Sequence, residues 1–465
     1  MQRKVIWVVL LLVGSTTSYA QMDKYLKDSI PNAWVESELF DPTLPSEDRW
    51  WNTFNDSVLS RLIVEAVENN YDILMAADRM DQSRANMRMQ QSGFYPKIGV
   101  EAAWMPQQSQ TGRTQHGSAQ VDLSWEVDLI GSIRNRAKSQ KEMFNVSQSE
   151  YNAVLVSLCA QVASTYINLR VAQNQLYVAN INLKSQEDIL KIAEARYSAG
   201  LVSALDVAQA KTVYESTKAI IPAWEAQSIC YSNALSVLLG KYPWQMRKEL
   251  QAYQRLPNPP SKIAVGIPAQ IVRQRPDVTA AEKTILSKAA YVGATKADWW
   301  PKFYVHGSFG YNSENFKDFV NKDNMVWQIG PSIRWNIFTG LENNQATKLA
   351  KAQLDESINN YNQTILIALE DVDNAMNFYA KSIDQIKANA SAVDQAKLTL
   401  TLSLDLYTQG LSGFQNVLDA QRSLLSYENA YVDVAGTSLQ QLILLYKALG
   451  GGWQLENVPT TAKKK

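Results

Sequence analysis

The residues best able to do chemistry in this 465-residue sequence are its two histidines, His116 and His306, and its two cysteines, Cys159 and Cys230. A zinc site needs three or four such ligands at close spacing, and covalent catalysis needs a nucleophile beside a base. None of the four is near another in the sequence, and no phosphate-cradling loop or nucleophile elbow accompanies them. His116 is expected in a strand-connecting loop, His306 within a strand, and both cysteines in helical stretches. The "GGGW" at 450–453 follows a helix and reads as a helix stop. The pattern is not that of an enzyme, and it requires neither a metal nor a cofactor. Basic and acidic residues number 45 each, a formal net charge of +0, which implies no nucleic-acid or other polyanion partner.

What does recur is a turn. "ARYSAGLVSALDVAQAK" (195–211) and "DLYTQGLSGFQNVLDAQ" (405–421) each carry a tyrosine three residues ahead of a glycine–leucine pair. These are Tyr197, Gly200 and Leu201, then Tyr407, Gly410 and Leu411, at an offset of 210 residues. Asp72 matches Asp277 and Pro96 matches Pro301 at an offset of 205, and Trp125 matches Trp335 at 210. Both halves thus run helix, Pro-Lys, strand, loop, strand, long helix and Gly turn. A period this long is not a solenoid unit but one duplicated structural unit.

The elements that must carry the turns are long helices. Leu155, Val162, Leu169, Leu176, Leu183, Leu190 and Tyr197 repeat every seven residues, and so do Ile365, Val372, Tyr379, Ile386, Val393, Leu400 and Tyr407. Three residues further on the side chains are mostly small: Ala172, Ala179, Ala193, Ala368, Ala375, Ser382, Ala396 and Ser403. A sustained heptad implies left-handed supercoiling, and the small second seam lets backbones approach. No proline interrupts Ser132 to Tyr197, so a helix of roughly 65 residues and on the order of 100 Å is expected. Gly200 and Gly410 end these helices, glycine reaching positive φ at little cost. Each half then returns along a second helix, making an antiparallel coiled-coil hairpin with the quoted turn at its tip.

Between the helices, Val121, Leu123, Trp125, Val127 and Leu129 alternate with polar residues, as do Trp327, Ile329, Ile333, Trp335 and Ile337. Period two marks strands with one apolar face, and about ten residues suits a tilted transmembrane strand. Aromatic residues fall at the strand ends: Tyr95, Trp104, Trp299, Trp300 and Trp335. Four strands cannot close a barrel, and open edges are not tolerated in lipid. Several copies must complete one barrel; three would supply twelve strands, although this logic alone does not fix the number.

The expected map begins with a signal peptide over 1–20, in which Arg3 and Lys4 precede an apolar run and Ser18-Tyr19-Ala20 forms the cleavage site. An extended segment (21–56) follows. The first repeat covers 57–250, with helices 57–92, 132–197 and 202–239 and strands 97–105 and 120–129. After a linker (251–268), the second repeat covers 269–450, with helices 269–297, 341–408 and 412–449 and strands 302–311 and 326–337. A tail (451–465) closes the chain.

The segments "WWNTFNDSVLSRLIVEAVENNYDI", "VDLSWEVDLIGSIRNRA", "GIPAQIVRQRPDVTAAE" and "NVLDAQRSLLSYENAY" resemble those of the TolC-like outer-membrane efflux family, in the branch serving proton-driven multidrug pumps. The resemblance implies a mainly α fold with a transmembrane β part: a homotrimer with one shared 12-stranded β-barrel and a trimeric α-helical barrel in the periplasm. It implies an exit duct in the outer-membrane lipid, docked to a periplasmic adaptor and an inner-membrane efflux transporter. Carried over residue by residue, Asp419 matches a constriction aspartate, and Asn416 stands where some members have a second. Asp206 matches an inner-tip aspartate that Tyr407 can latch in a closed state, while Ser412 replaces an arginine that assists this latch elsewhere. Many members bear a lipidated N-terminal cysteine; Gln21 stands there instead, which leaves anchoring to the barrel. Converging carboxylates in a narrow pore attract cations and repel anions. Asp206, near a helix start, also suits a helix-capping role. Adaptor docking is expected at Gly200, Leu201, Gly410 and Leu411. The alternative is a periplasmic coiled-coil adaptor or scaffold, which would be soluble without detergent.

Overall fold

The computed structural model describes residues 25–26, 30, 34, 39–41, 49–110, 112–260 and 262–452. The predicted signal peptide, Gln21 and residues 453–465 lie outside the described residues. The chain forms two compact units: Met1–Ser29 with Ala77–Glu150 and Asp277–Thr364, and Ile30–Ala76 with Tyr151–Pro276 and Ile365–Lys465. The duplicated halves are therefore not separate bodies. Each unit draws on both, because equivalent elements of the two halves pack on one another.

The first unit holds a four-stranded antiparallel sheet, β1 (Lys97–Ser109), β2 (Gly112–Val127), β3 (Lys302–Ser313) and β4 (Met325–Arg334), in the order β1-β2-β3-β4. β1 and β2 run past the expected ends to a turn at Gly112, whose φ of 132° suits glycine. His116 consequently lies in β2, paired with Met105, rather than in a loop. β4 stops short of Trp335 and Ile337.

Directly paired residues share a face, so the register sorts the side chains. Rows such as Ile98–Leu123–Gly307–Ile329 and Val100–Val121–Phe309–Trp327 form one face. Lys97–Ser124–His306–Gly330 and Gly99–Asp122–Ser308–Gln328 form the other. Much of the apolar face is exposed: Val100 is 80% exposed, Ile329 71% and Trp327 68%. Trp125 and Trp335 donate their indole N–H groups to the carbonyls of Phe94 and Trp299, at 3.0 and 3.1 Å.

Asp298 fixes the junction between sheet and helices. It accepts from Ser132 Oγ at 2.9 Å and Lys302 Nζ at 3.1 Å, and it pairs with Arg136. Asp128 caps the start of the long helix α3 (Ser132–Ser198), accepting from the backbone N–H groups of Gly131 and Arg134 at 2.9 and 2.7 Å.

The expected helix 57–92 is two helices, α1 (Ser57–Asn69) and α2 (Tyr71–Gln91). Asn70 breaks it: its side chain accepts from Asp72 N–H at 2.8 Å, capping α2, and donates to Leu238 O at 2.9 Å. The remaining long helices are α4 (Ala204–Leu238), α5 (Pro276–Ala297), α6 (Glu342–Thr408) and α7 (Phe414–Ala448). A separate short helix, Pro268–Gln274, precedes α5. Pro276 opens α5, where a missing N–H costs nothing. α3 contains a window apolar enough to cross a membrane, but 61% of that window is buried against protein.

The second unit is built on the "WWNTFND" segment. Trp50, Trp51 and Phe54 are buried, and Trp50 stacks on Tyr446 at 5.2 Å. Asp56 caps α1 through Val58 and Leu59 N–H and accepts from Tyr166 Oη at 2.5 Å. The "RQRPDV" arginine, Arg275, donates to Ala448 O at 3.0 Å and Asp371 Oδ2 at 3.1 Å, closing the end of α7. The small seam permits close helix approach. Ala172, Ala179, Ala193 and Ala368 are buried, Ser382 bonds Ser438 at 2.9 Å, and a Cβ on Gly436 would lie 2.3 Å from Val171 Cγ2.

Candidate functional site at the helix tips

Both quoted turns close by the same hydrogen bonds. Gly200 N–H donates to Tyr197 O at 2.9 Å and Leu201 N–H to Arg196 O at 2.9 Å. Gly410 N–H donates to Tyr407 O at 3.0 Å and Leu411 N–H to Leu406 O at 2.9 Å. This is the Schellman arrangement, and it needs the left-handed φ of 73° at Gly200 and 77° at Gly410. The following leucines are left in solvent, Leu201 at 65% and Leu411 at 71% exposure. The tips have their own small core: Ile189, Ala193, Ala210, Val213, Tyr407, Phe414, Val417 and Leu418.

Asp206 sits in the first turn of α4, where the helix dipole favours a carboxylate, and it accepts from Ser203 Oγ at 3.1 Å. Tyr407 is buried, with its ring 5.1 Å from that of Phe414. Among the described residues its hydroxyl has no hydrogen-bond partner, so the Tyr407–Asp206 latch is not made within the chain. The two groups are nonetheless close enough to sense each other: burial first, then the Asp206 charge, push the Tyr407 phenol up, while Arg196 opposes them.

Arg196 is the tip residue that sequence reading missed. Its Nη1 donates to Thr408 O at 2.6 Å, and its guanidinium lies 4.9 Å from the centre of the Tyr407 ring. A cation from the first hairpin thereby holds the last turn of α6 in the second. One signal was available: 210 residues on, the repeat has Leu406 in place of the arginine.

Asp419 and Asn416 lie elsewhere on the tip. Both are exposed on α7; Asp419 accepts from Gln415 Nε2 at 3.1 Å, and Asn416 donates to Ser412 Oγ at 2.7 Å. They line an open groove between α6 and α7, floored by Ala396, Ser403, Ala420 and Ser423. Asp206 and Tyr407 are not among its lining residues. Within one chain the four candidate constriction residues therefore fall into two pairs. Among the described residues no group of three His, Cys, Asp or Glu side chains is placed to hold a metal ion.

A family model described as outer membrane efflux protein matches residues 62–241 and 267–451. The cation efflux system protein CusC of Escherichia coli O6:H1 is 28% identical over 411 residues, 87% of this chain and 88% of the relative. The solvent efflux pump outer membrane protein SrpC of Pseudomonas putida is 28% identical over 412 residues, 86% of this chain and 87% of the relative. The solved outer-membrane channel OprN superposes with a TM-score of 0.85 at 27% identity, covering 91% of this chain and 97% of that one.

Proposed function

The chain belongs to the outer membrane efflux protein family, and from that premise we propose that three copies close one shared barrel whose lumen continues the helical duct. The protein is an outer-membrane efflux channel of a tripartite system, the passive exit for what an inner-membrane pump delivers. The coiled-coil scaffold reading is not favoured. The observation that carries the trimer is the sheet itself. Its apolar face is exposed, and among the described residues its outer strands β1 and β4 each have one edge without a paired strand. Because β1 and β4 run in opposite directions, β4 of one copy can pair antiparallel with β1 of the next, and the pattern closes on itself. Two copies would give about eight strands, a barrel filled by its own side chains, whereas twelve leave a bore.

At the helix tips, Asp419 and Asn416 form the constriction, three of each converging when the copies assemble. Arg196 holds the two hairpin tips together beside it, through Thr408 O and the Tyr407 ring, while Asp206 stands in the first turn of α4. The exposed Gly200–Leu201 and Gly410–Leu411 turns are the contacts for a periplasmic adaptor. The cargo is not fixed by the fold: one relative is named for cations and another for solvents.

Cysteine pairs walked along the two open edges, one on β1 and one on β4, test the assembly. Exposed Cys230 is replaced by serine, and Cys159 is buried and can stay. Oxidation in membranes should give a ladder of linked chains ending at three. A ladder continuing beyond three, or no links at any register, would overturn the shared barrel.

A further inference from the structure

The two hairpin ends of the sheet differ. The β1–β2 ladder runs on to the Ser109–Gly112 pair, whereas β3 and β4 are joined by residues 314–324, which carry two short 3-10 turns, Phe316–Asp318 and Lys322–Asn324. This connection does not stand over the end of the sheet. Phe316 meets the Trp104 ring edge-on at 5.1 Å, and Phe319 lies 6.3 Å from Trp104 and 6.5 Å from Tyr311. Trp104 and Tyr311 are on the apolar face, an even number of residues along β1 from Ile98 and Val100 and along β3 from Phe309 respectively. Gly117 makes the seat, since a Cβ there would be 2.2 Å from the Trp104 ring and 3.0 Å from that of Phe319. The connection is thus folded outward onto the apolar face. Having done so, it leaves Phe316 75% and Val320 76% exposed.

We propose that residues 314–324 form a membrane-interface anchor, with Phe316 and Val320 entering the outer leaflet at the headgroup–acyl boundary. The inference rests on the outer-membrane reading above and adds a lipid contact outside the strands. The occupant is lipid because the patch continues the apolar face without a break. Glu314, Lys317, Asp318, Lys322 and Asp323 flank the apolar residues Phe316, Phe319 and Val320 and hold the segment at the boundary, out of the acyl core. The spacing agrees. From the Val127–Phe303 row to the Trp104–Gly117 row is ten residues along β2, about 34 Å of strand, or about 26 Å of height at the usual barrel tilt, against about 25 Å for an apolar band. The aromatic cluster then falls at the upper interface, where such rings concentrate.

The test is a fluorophore sensitive to its surroundings, attached at Val320→Cys in the full-length Cys230→Ser chain and reconstituted in phosphatidylcholine vesicles. Nitroxide-bearing lipids and aqueous iodide serve as quenchers, and Val100→Cys on β1 is the lipid-facing reference. Blue-shifted emission at 320, quenched more by shallow nitroxides than by iodide, is the expected result. Iodide quenching at 320 with lipid quenching at 100 overturns the anchor alone. Iodide quenching at both positions overturns the outer-membrane placement as well.

Discussion

Arg196→Met tests whether the two tips are held by the residue the structure identifies. Arg196 contributes a charged hydrogen bond to Thr408 O at 2.6 Å and a cation–π contact with Tyr407 at 4.9 Å. Bonds to charged groups are worth about 1.5–3 kcal/mol, and a cation–π contact at an exposed site about 0.5–1 kcal/mol. Arg196 is half-buried, so water recovers part of this, while methionine keeps the packing of the stem. A loss of about 2 kcal/mol is expected, or about 30-fold in the opening equilibrium of the second tip. The assay is hydrogen exchange at Gly410 and Leu411, whose amides bond Tyr407 and Leu406. Their exchange should accelerate about 30-fold, with the self-capped Gly200 and Leu201 amides changing far less. Arg196→Lys should fall between, because an ammonium keeps the charge without the planar stacking. Exchange at Gly410 and Leu411 unchanged within about twofold in the methionine variant would refute the clasp.

Three further outcomes follow from the same geometry. Gly436→Ala places a methyl 2.3 Å from Val171 Cγ2, and should destabilise the helical unit by about 1–3 kcal/mol in thermal melts, with Val171→Ala restoring most of it. The buried Tyr379 hydroxyl has no hydrogen-bond partner among the described residues and is pushed up to about 12, by burial first and then by Tyr446. A raised folded value means stability fully present below about pH 10 and lost as pH rises towards about 12; Tyr379→Phe should flatten that decline, and an unchanged alkaline melting profile would count against it. Asp419→Ala should lower cation preference in a planar bilayer, and unaltered selectivity would remove Asp419 from the pore.

The heptads of 155–197 and 365–407 were legible because coiled-coil packing imposes a long, unbroken period, and the structure has 67-residue helices there. The paired Gly turns were legible because Schellman closure requires a residue that accepts positive φ. The break at Asn70 was hidden: the apolar pattern runs through it, and one of its partners, Leu238, is 168 residues away. Arg275 could be recognised as part of a motif but not assigned a task, since Ala448 and Asp371 are brought to it only by folding. The candidate site was legible in its turns and aspartates, yet not in its grouping. The family resemblance suggested a Tyr407–Asp206 latch, whereas within the chain Tyr407 lies under Arg196 and its hydroxyl has no hydrogen-bond partner among the described residues. Long-range polar contacts leave no local period, so only the departure from the repeat at Arg196 could have pointed to them.

The central claim is that four strands per chain close a common barrel in the outer membrane, and the mass of the protein extracted from that membrane in mild detergent tests it most directly. Light scattering corrected for bound detergent should give a particle of three chains that is lost to aggregation when detergent is removed. A single chain that stays soluble without detergent would mean that the apolar face of the sheet meets protein rather than lipid, and would contradict the account.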